Sequence, residues 1–157
     1  MGPTKSSTVR FETRTTIDGP IEDVFARLTD LDHYGTWMHR TGLFGGCRQV
    51  SDGPVREGTR YVDRSRMGTF HGEVTEFEAP TRVSFVETMR MFGQGAMQAR
   101  PAYELEPDGD RTIVHHVAEG EMWGWMRIMK PMAGMMASWE RSRVLSSLAR
   151  SFEQEQV

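Results

Sequence analysis

Two adjacent histidines, His115 and His116, are the residues of this sequence best suited to acid–base chemistry. They lie within the segment 112–121, whose alternation of apolar and polar residues predicts a β-strand. Since neighbouring strand residues point to opposite faces of a sheet, one imidazole should face inward and the other outward. A histidine in an apolar pocket can polarise a carbonyl or move a proton near neutral pH. The alternative is a core histidine that makes a hydrogen bond or touches a ligand.

Tyr103 and Arg141 are the other candidate catalytic residues. Tyr103 shares a strand face with Met97, where its ring and hydroxyl could orient a ligand. Arg141 shares a helix face with Leu148, from which it could pair with a ligand carboxylate or enolate. It could equally form a structural ion pair with Glu87, or remain in solvent.

Aromatic, methionine and small residues on neighbouring elements could line a pocket around these groups. For each of them taken singly, the alternative is ordinary core packing. Together they suit a flat or flexible apolar ligand, because methionine side chains adapt to varied partners. The predicted ligand-binding residues are Trp37, Met38, Phe70, Glu87, Met89, Met97, Tyr103, His116, Ala137 and Arg141.

Other classes of site are not indicated. His33 and His39 are six residues apart in a turn region, and adjacent strand histidines cannot easily bind one ion, so no metal site is predicted. There is no nucleophile elbow or phosphate-cradling glycine loop, and no cofactor is expected. The formal net charge is −3 without a concentrated basic face, which does not favour nucleic-acid binding.

Short strands must position most of these side chains. Residues 9–17 alternate and predict a first strand, after which Asp18 or Gly19 can cap a helix that begins near Pro20 and ends near Asp30. An aromatic turn or second short helix is expected at 34–38. Turn residues then separate strands at hairpin spacing, which predicts an α+β domain with a curved antiparallel sheet of about seven strands. The further predicted strands cover 47–51, 59–66, 70–78, 82–89, 97–106 and 112–121.

The segment from Met122 to Phe152 lacks this alternation and predicts a long helix from about Met132, with Pro131 in its first turn. At 100° per residue, its apolar residues form two stripes on nearly opposite sides. Either the helix has two faces, or it bends near 138–143 so that both stripes reach one core. The stripes consist of Met132, Met135, Met136 and Trp139, and of Val144, Leu145, Leu148 and Phe152.

The first stripe is the candidate interaction surface. In the two-faced helix it would face a partner, a lid or a membrane, whereas the second stripe would pack into the core. A homodimer or a peripheral membrane contact is therefore expected through Met132, Met136 and Trp139.

Length and composition predict one domain. The 157 residues divide into a flexible N-terminus at 1–8, a single domain at 9–152 and a C-terminal tail at 153–157. The mean hydropathy of −0.53 and the lack of a long apolar run predict a soluble chain without a membrane-spanning helix. The polar N-terminus and the single cysteine, Cys47, favour a cytoplasmic location.

Several short pieces, taken in order, resemble one superfamily. They are residues 17–25 (IDGPIEDVF), 31–37 (LDHYGTW), 58–60 (GTR), 74–82 (VTEFEAPTR) and 145–152. The chain from about Val9 to Phe152 resembles the START-like, or SRPBCC, superfamily, most of all its polyketide cyclase/dehydrase and lipid-transport branch. The resemblance implies the helix-grip fold, in which the curved sheet wraps around the long C-terminal helix and leaves a pocket between them. The superfamily's Thr-x-Val pattern favours His116 over His115 as the inward histidine.

The resemblance leaves three hypotheses about function. The leading one is binding or transport of a hydrophobic small molecule, such as a lipid, polyketide or aromatic metabolite, in an internal cavity. The first alternative is a polyketide aromatase/cyclase or dehydratase, in which inward His116, Tyr103 and Arg141 move protons or stabilise an enolate. The second alternative is a dimer or membrane-surface interaction module.

Overall fold

Seven β-strands form one antiparallel sheet. The computed structural model describes residues 6–38, 44–66, 68–92 and 95–156, with the backbone alone described at 44, 133–143 and 156. The strands are β1 Ser7–Ile17, β2 Phe44–Gln49, β3 Arg60–Ser65, β4 Gly68–Glu78, β5 Arg82–Arg90, β6 Ala96–Asp108 and β7 Arg111–Trp123. Their order across the sheet is β1-β7-β6-β5-β4-β3-β2, so that β1 pairs with the last strand. The predicted curved antiparallel sheet is confirmed.

One face of the sheet is buried, and it is called the inner face below. In β7 the residues Thr112, Val114, His116 and Ala118 are all buried, whereas the residues between them are partly exposed. The same alternation runs along β1. Because this period places every second side chain on the core side, the strands of an antiparallel sheet can keep one face in water.

Two short helices follow β1, as predicted. Helix α1 spans Ile21–Thr29, a 3₁₀ turn spans Leu31–His33, and helix α2 spans Tyr34–Trp37. Apolar residues of α1 recur at helical spacing and are buried, and Glu22 and Asp23 occupy its first turn, where acidic residues are favourable. Pro20 is the N-cap residue and no side chain caps this helix, so the predicted capping by Asp18 or Gly19 is wrong.

The chain ends in one long helix, α3, which spans Lys130–Glu153. A 3₁₀ segment, Gly124–Met129, connects it to β7, and Gly124 has a φ of 63° that glycine adopts without strain. Pro131 lies in the first turn of the helix, as predicted. The backbone is helical throughout, so the helix is not broken near 138–143.

The inner face is covered by two apolar clusters. The main core joins α1, α2 and the C-terminal half of α3 to the sheet, and Leu145, Leu148 and Phe152 belong to it. The predicted C-terminal stripe of α3 is therefore confirmed as core. The second group, the methionine cluster, contains buried Met89, Met122 and Met126, with Val9, Phe70, Met91, Met97 and Trp125 packed against them.

The sheet, the helix pair and the long helix together are the predicted helix-grip arrangement. The C-terminal half of α3 packs on the inner face of the sheet within the main core, while the helix begins directly after the 3₁₀ segment that carries Met126 of the methionine cluster. The turns between, at 133–143, therefore span the gap between the clusters, a distance of about 16 Å.

Candidate functional site

The strip of inner face between the two clusters is the candidate site. It is built from one row of residues paired across five neighbouring strands. The register pairs Tyr61 with Gly72, Gly72 with Glu87, Glu87 with Ala99, and Ala99 with Gly120. Three of these five residues are Gly or Ala, so the row carries little side-chain volume. It is called the central row below.

A tyrosine–glutamate hydrogen bond occupies one end of the central row. The Tyr61 hydroxyl donates to Glu87 Oε1 at 2.7 Å, and Tyr61 is 3% exposed. A Cβ added to Gly72 would lie 2.2 Å from the Tyr61 ring, so the ring reaches Glu87 by lying directly over a glycine. Burial, followed by the charge of Glu87, raises the pKa of Tyr61. The pair provides polar atoms on the inner face, next to the apolar side chains of the two clusters.

The other end of the central row is not covered by any described side chain. Gly120 lies between Ala118 and Met122 on the inner face, and both neighbours are buried. A Cβ built on Gly120 would meet no atom within 4 Å among the residues whose side chains are described. Its φ is not in the left-handed region, so the backbone does not require glycine here. Among the described side chains, none therefore fills the position above Gly120 beside the methionine cluster.

A second polar group lies beside Tyr61, on the two strands at the sheet edge. Cys47 pairs with Asp63 in the register of β2 and β3. Burial, followed by the charge of Asp63, raises the pKa of the Cys47 thiol, which keeps it protonated and poorly nucleophilic. Nearby, the Tyr34 hydroxyl donates to the carbonyl of Leu28, and burial raises the pKa of Tyr34.

The inward histidine is His116, as the resemblance favoured. It is 3% exposed, whereas His115 lies on the outer face and contacts Glu12 at 2.5 Å. His116 is paired with Tyr103 across β6 and β7, and their rings stack at 4.2 Å with an interplanar angle of 3°. The predicted catalytic pair is thus in direct contact, with an imidazole and a phenol at one position of the inner face.

The predicted wall residues fall into separate groups. Phe70, Met89 and Met97 belong to the methionine cluster, and Glu87 belongs to the central row. Trp37 is buried in the main core, against which Met38 packs. Along β5, Glu87 lies four residues, or about 13 Å, from Val83, which is the residue paired with Tyr103. The side chains of Ala137, Arg141, Met136 and Trp139 lie outside the described residues, as does His39.

Six residues of the site were missed from the sequence: Tyr34, Tyr61, Asp63, Gly72, Ala99 and Gly120. The alternation of β3 places Tyr61 and Asp63 on one face, which is a usable signal. The contact between Tyr61 and Gly72 depends on the register of β3 against β4. A register cannot be inferred reliably from one sequence when both strands alternate evenly.

A separate groove of about 650 Å³ lies on the outer side of α1. Its walls include Asp18, Asp23, Asp30 and Glu155, together with Arg27. Arg27 already bonds to Glu155 at 2.7 Å and lies 3.8 Å from the centre of the Phe152 ring. Because these walls are open and charged, the groove does not suit an apolar ligand.

The described residues show neither a metal centre nor a membrane-spanning helix. Among the described residues, no group of three or more His, Cys, Asp or Glu side chains could hold a metal ion. None of the helices in the described ranges is long and apolar enough to cross a membrane.

The fold resembles many solved structures at low sequence identity. A START superfamily protein from Mycobacterium smegmatis aligns with a TM-score of 0.72 at 14% identity, covering 92% of this chain and 97% of that one. A protein from Rhizobium loti aligns at 0.69 and 20% identity, covering 93% and 98%. Norcoclaurine synthase from Thalictrum flavum aligns at 0.67 and 11% identity, covering 98% and 99%. These identities establish a shared fold.

A family assignment follows from the sequence itself. None of the curated proteins compared with the chain is similar enough in sequence to count as a match. The family described as "Polyketide cyclase / dehydrase and lipid transport" matches residues 8–153. The match includes all of α3 and all seven strands, apart from the first residue of β1. The solved START superfamily neighbour shares the fold of this chain. The chain therefore belongs to the polyketide cyclase/dehydrase and lipid transport family.

Proposed function

We propose that this protein binds a hydrophobic small molecule, such as a lipid, polyketide or aromatic metabolite, between the central row and α3. The observation that carries the proposal is the open position above Gly120, which lies between buried residues on the inner face. Cores are packed nearly as densely as organic crystals, so a position beside buried side chains that no described side chain fills is a candidate for a ligand. An apolar ligand would gain contacts there that the described side chains do not make.

The two ends of the central row would divide the ligand into an apolar and a polar part. Methionines next to Gly120 offer flexible side chains that adapt to ligands of varied shape. The Tyr61–Glu87 pair would meet the polar part and fix its orientation through hydrogen bonds. The family and fold support a hydrophobic ligand of this kind, without naming it.

A displacement assay tests the proposal. Native mass spectrometry of the purified protein should detect a bound small molecule, and a fluorescent fatty acid should bind and be displaced by the extracted molecule. Gly120→Leu should fill the open position and abolish binding. Gly35→Leu is the matched control, because Gly35 is exposed on α2 and an added Cβ there also meets nothing described within 4 Å. The proposal would be wrong if Gly120→Leu and Gly35→Leu bound the fatty acid equally well and both kept the thermal unfolding midpoint of the wild type.

The Tyr103–His116 stack supports a second candidate function, a cyclase or dehydratase. The two rings are in contact at 4.2 Å inside the sheet, and an imidazole beside a phenol can transfer a proton to a bound polyketide. Arg141 would supply the positive charge for an enolate, as expected from the sequence. If His116→Gln, Tyr103→Phe and Arg141→Gln all keep full turnover of an identified substrate, this candidate fails and binding alone remains.

A further inference from the structure

A group of large apolar side chains is exposed at the end of the molecule that carries the methionine cluster. Phe92 is 84% exposed, Ile128 is 81%, Met132 is 45% and Met129 is 36%. Phe92 follows β5, and the other three belong to the 3₁₀ segment and the first turns of α3. Single exposed apolar residues are common on protein surfaces, but a contiguous group marks an interaction surface. These four residues are called the apolar tip below.

A tryptophan fixes the two parts of the apolar tip to each other. The Trp125 indole N–H donates to the carbonyl of Phe92 at 3.0 Å, and the two ring centres are 6.0 Å apart. A Cβ added to Gly95 would lie 2.5 Å from the Trp125 ring nitrogen, so the indole packs tightly on Gly95. Phe92 and the 3₁₀ segment therefore form one surface.

The charged residues of the two segments that carry the apolar tip have one sign. Residues 88–98 and 122–132 contain Arg90, Arg127 and Lys130 and no aspartate or glutamate. All three basic residues are exposed. The formal net charge of the whole chain is −3, so the basic character is local. This combination matches an anionic lipid surface. Exposed aromatic and aliphatic side chains enter the membrane interface, and neighbouring arginine and lysine side chains contact the anionic headgroups.

We propose that the apolar tip docks this protein on the surface of an anionic membrane. Docking through Phe92, Ile128, Met129 and Met132 would place the methionine cluster next to the lipid, because Trp125 contacts Phe92 on one side and packs on that cluster on the other. The open end of the central row lies beside the same cluster. The inference goes beyond the proposed function, and it holds or fails independently of what the interior binds.

Vesicle sedimentation tests the docking. The wild-type protein should sediment with vesicles of phosphatidylcholine and phosphatidylglycerol, and far less with phosphatidylcholine alone. The double variant Phe92→Ser/Ile128→Ser should lower the partition coefficient about tenfold or more, since each change removes an exposed apolar side chain from the interface. Both residues are exposed, so the fold should be kept, as circular dichroism would verify. Val50→Ser is the matched control, because Val50 is 49% exposed and lies outside the apolar tip.

A second set of variants tests the role of the basic residues in vesicle binding. Arg127→Gln/Lys130→Gln should weaken binding to anionic vesicles about fivefold for each charge removed. Arg60→Gln, an exposed change in β3 outside both segments, should leave it unchanged. Gly120→Leu, which fills the interior, should still sediment, so that loss of ligand binding and loss of docking are told apart.

Three results would overturn the docking proposal. The first is the absence of sedimentation with anionic vesicles, and the second is equal sedimentation of the wild type and the Phe92→Ser/Ile128→Ser variant. The third is a concentration-dependent dimer in light scattering that the double variant abolishes without any vesicle binding, which would assign the apolar tip to a second copy of the chain.

Discussion

The two apolar clusters of the inner face differ in composition and in what covers them. The main core consists of aliphatic and aromatic residues enclosed by α1, α2 and the C-terminal half of α3. The methionine cluster is covered by the 3₁₀ segment, and several of its members are only half-buried. Well-defined rotamers specify a fold, whereas methionine adapts to varied partners. The difference indicates that one end of the sheet holds the structure together and the other end serves the ligand.

Truncation of the main core should have the largest effect on stability. Leu148 is fully buried, and Leu148→Ala should lower the free energy of unfolding by about 3–5 kcal/mol, because it leaves a cavity. Met122→Ala, the same kind of truncation in the methionine cluster, should cost less, about 2–3 kcal/mol, because flexible methionine neighbours can close part of the cavity. Denaturation with guanidinium chloride would measure both. Similar losses for the two changes would contradict the division of roles.

The adjacent histidines allow the inner and outer faces to be compared at one place in the chain. His116→Ala removes a buried ring stacked on Tyr103 and should cost about 2–3 kcal/mol. His115→Ala removes a partly exposed ion pair with Glu12 and should cost at most about 1 kcal/mol. Thermal unfolding of both variants would check the contrast, which is wrong if the two midpoints fall by the same amount.

The two glycines of the central row should respond oppositely to the same change. Gly72→Ala forces the Tyr61 ring away from Glu87 and should cost about 1–3 kcal/mol, since the added Cβ would overlap the ring. Gly120→Ala meets no described atom and should be neutral or stabilising by up to about 1 kcal/mol. Chemical denaturation of the two variants would measure their stabilities, which report whether a side chain fits above each glycine. A cost at Gly120 equal to that at Gly72 would mean that the open position is filled.

An effect that appears only at alkaline pH is a change of stability at Tyr61. Its pKa in the folded protein is raised above the usual value of 10.0. Above that usual value the unfolded tyrosine ionises while the folded one keeps its proton, so stability is full below it and falls as pH rises, by up to about 1.4 kcal/mol per pH unit. Tyr61→Phe should flatten this alkaline slope relative to the wild type. An unchanged slope, measured by urea unfolding across the alkaline range, would place the tyrosine in solvent.

The fold could be read from the sequence because its signals are local. Alternation predicted the strands to within a few residues, and turn residues at hairpin spacing predicted the antiparallel order. Because neighbouring strand residues point to opposite faces, only one of His115 and His116 could face inward, and the family pattern selected His116. The continuity of α3 was left open, because two opposed apolar stripes are compatible with a bend as well as with a straight helix.

The site was predicted less completely, for reasons that lie in the register. Glu87 was found as a candidate, but its partner Tyr61 was not, since the contact requires Gly72 to face both of them across strands. The open position at Gly120 depends on its neighbours on β1, β6 and β7, whose described side chains do not reach over it. Such features arise from residues distant in sequence, and hydrophobic periodicity carries no information about them.

The measurement that tests the central claim most directly is a size series at Gly120. The dissociation constant of a fluorescent fatty acid would be compared for the wild type and for Gly120→Ala, Gly120→Val and Gly120→Leu, with Gly35→Leu as control. A ligand above the central row predicts stepwise weakening as the side chain grows, with an unchanged control and intact folding throughout. Affinity that is independent of side-chain size at Gly120 would place the ligand elsewhere and contradict the account.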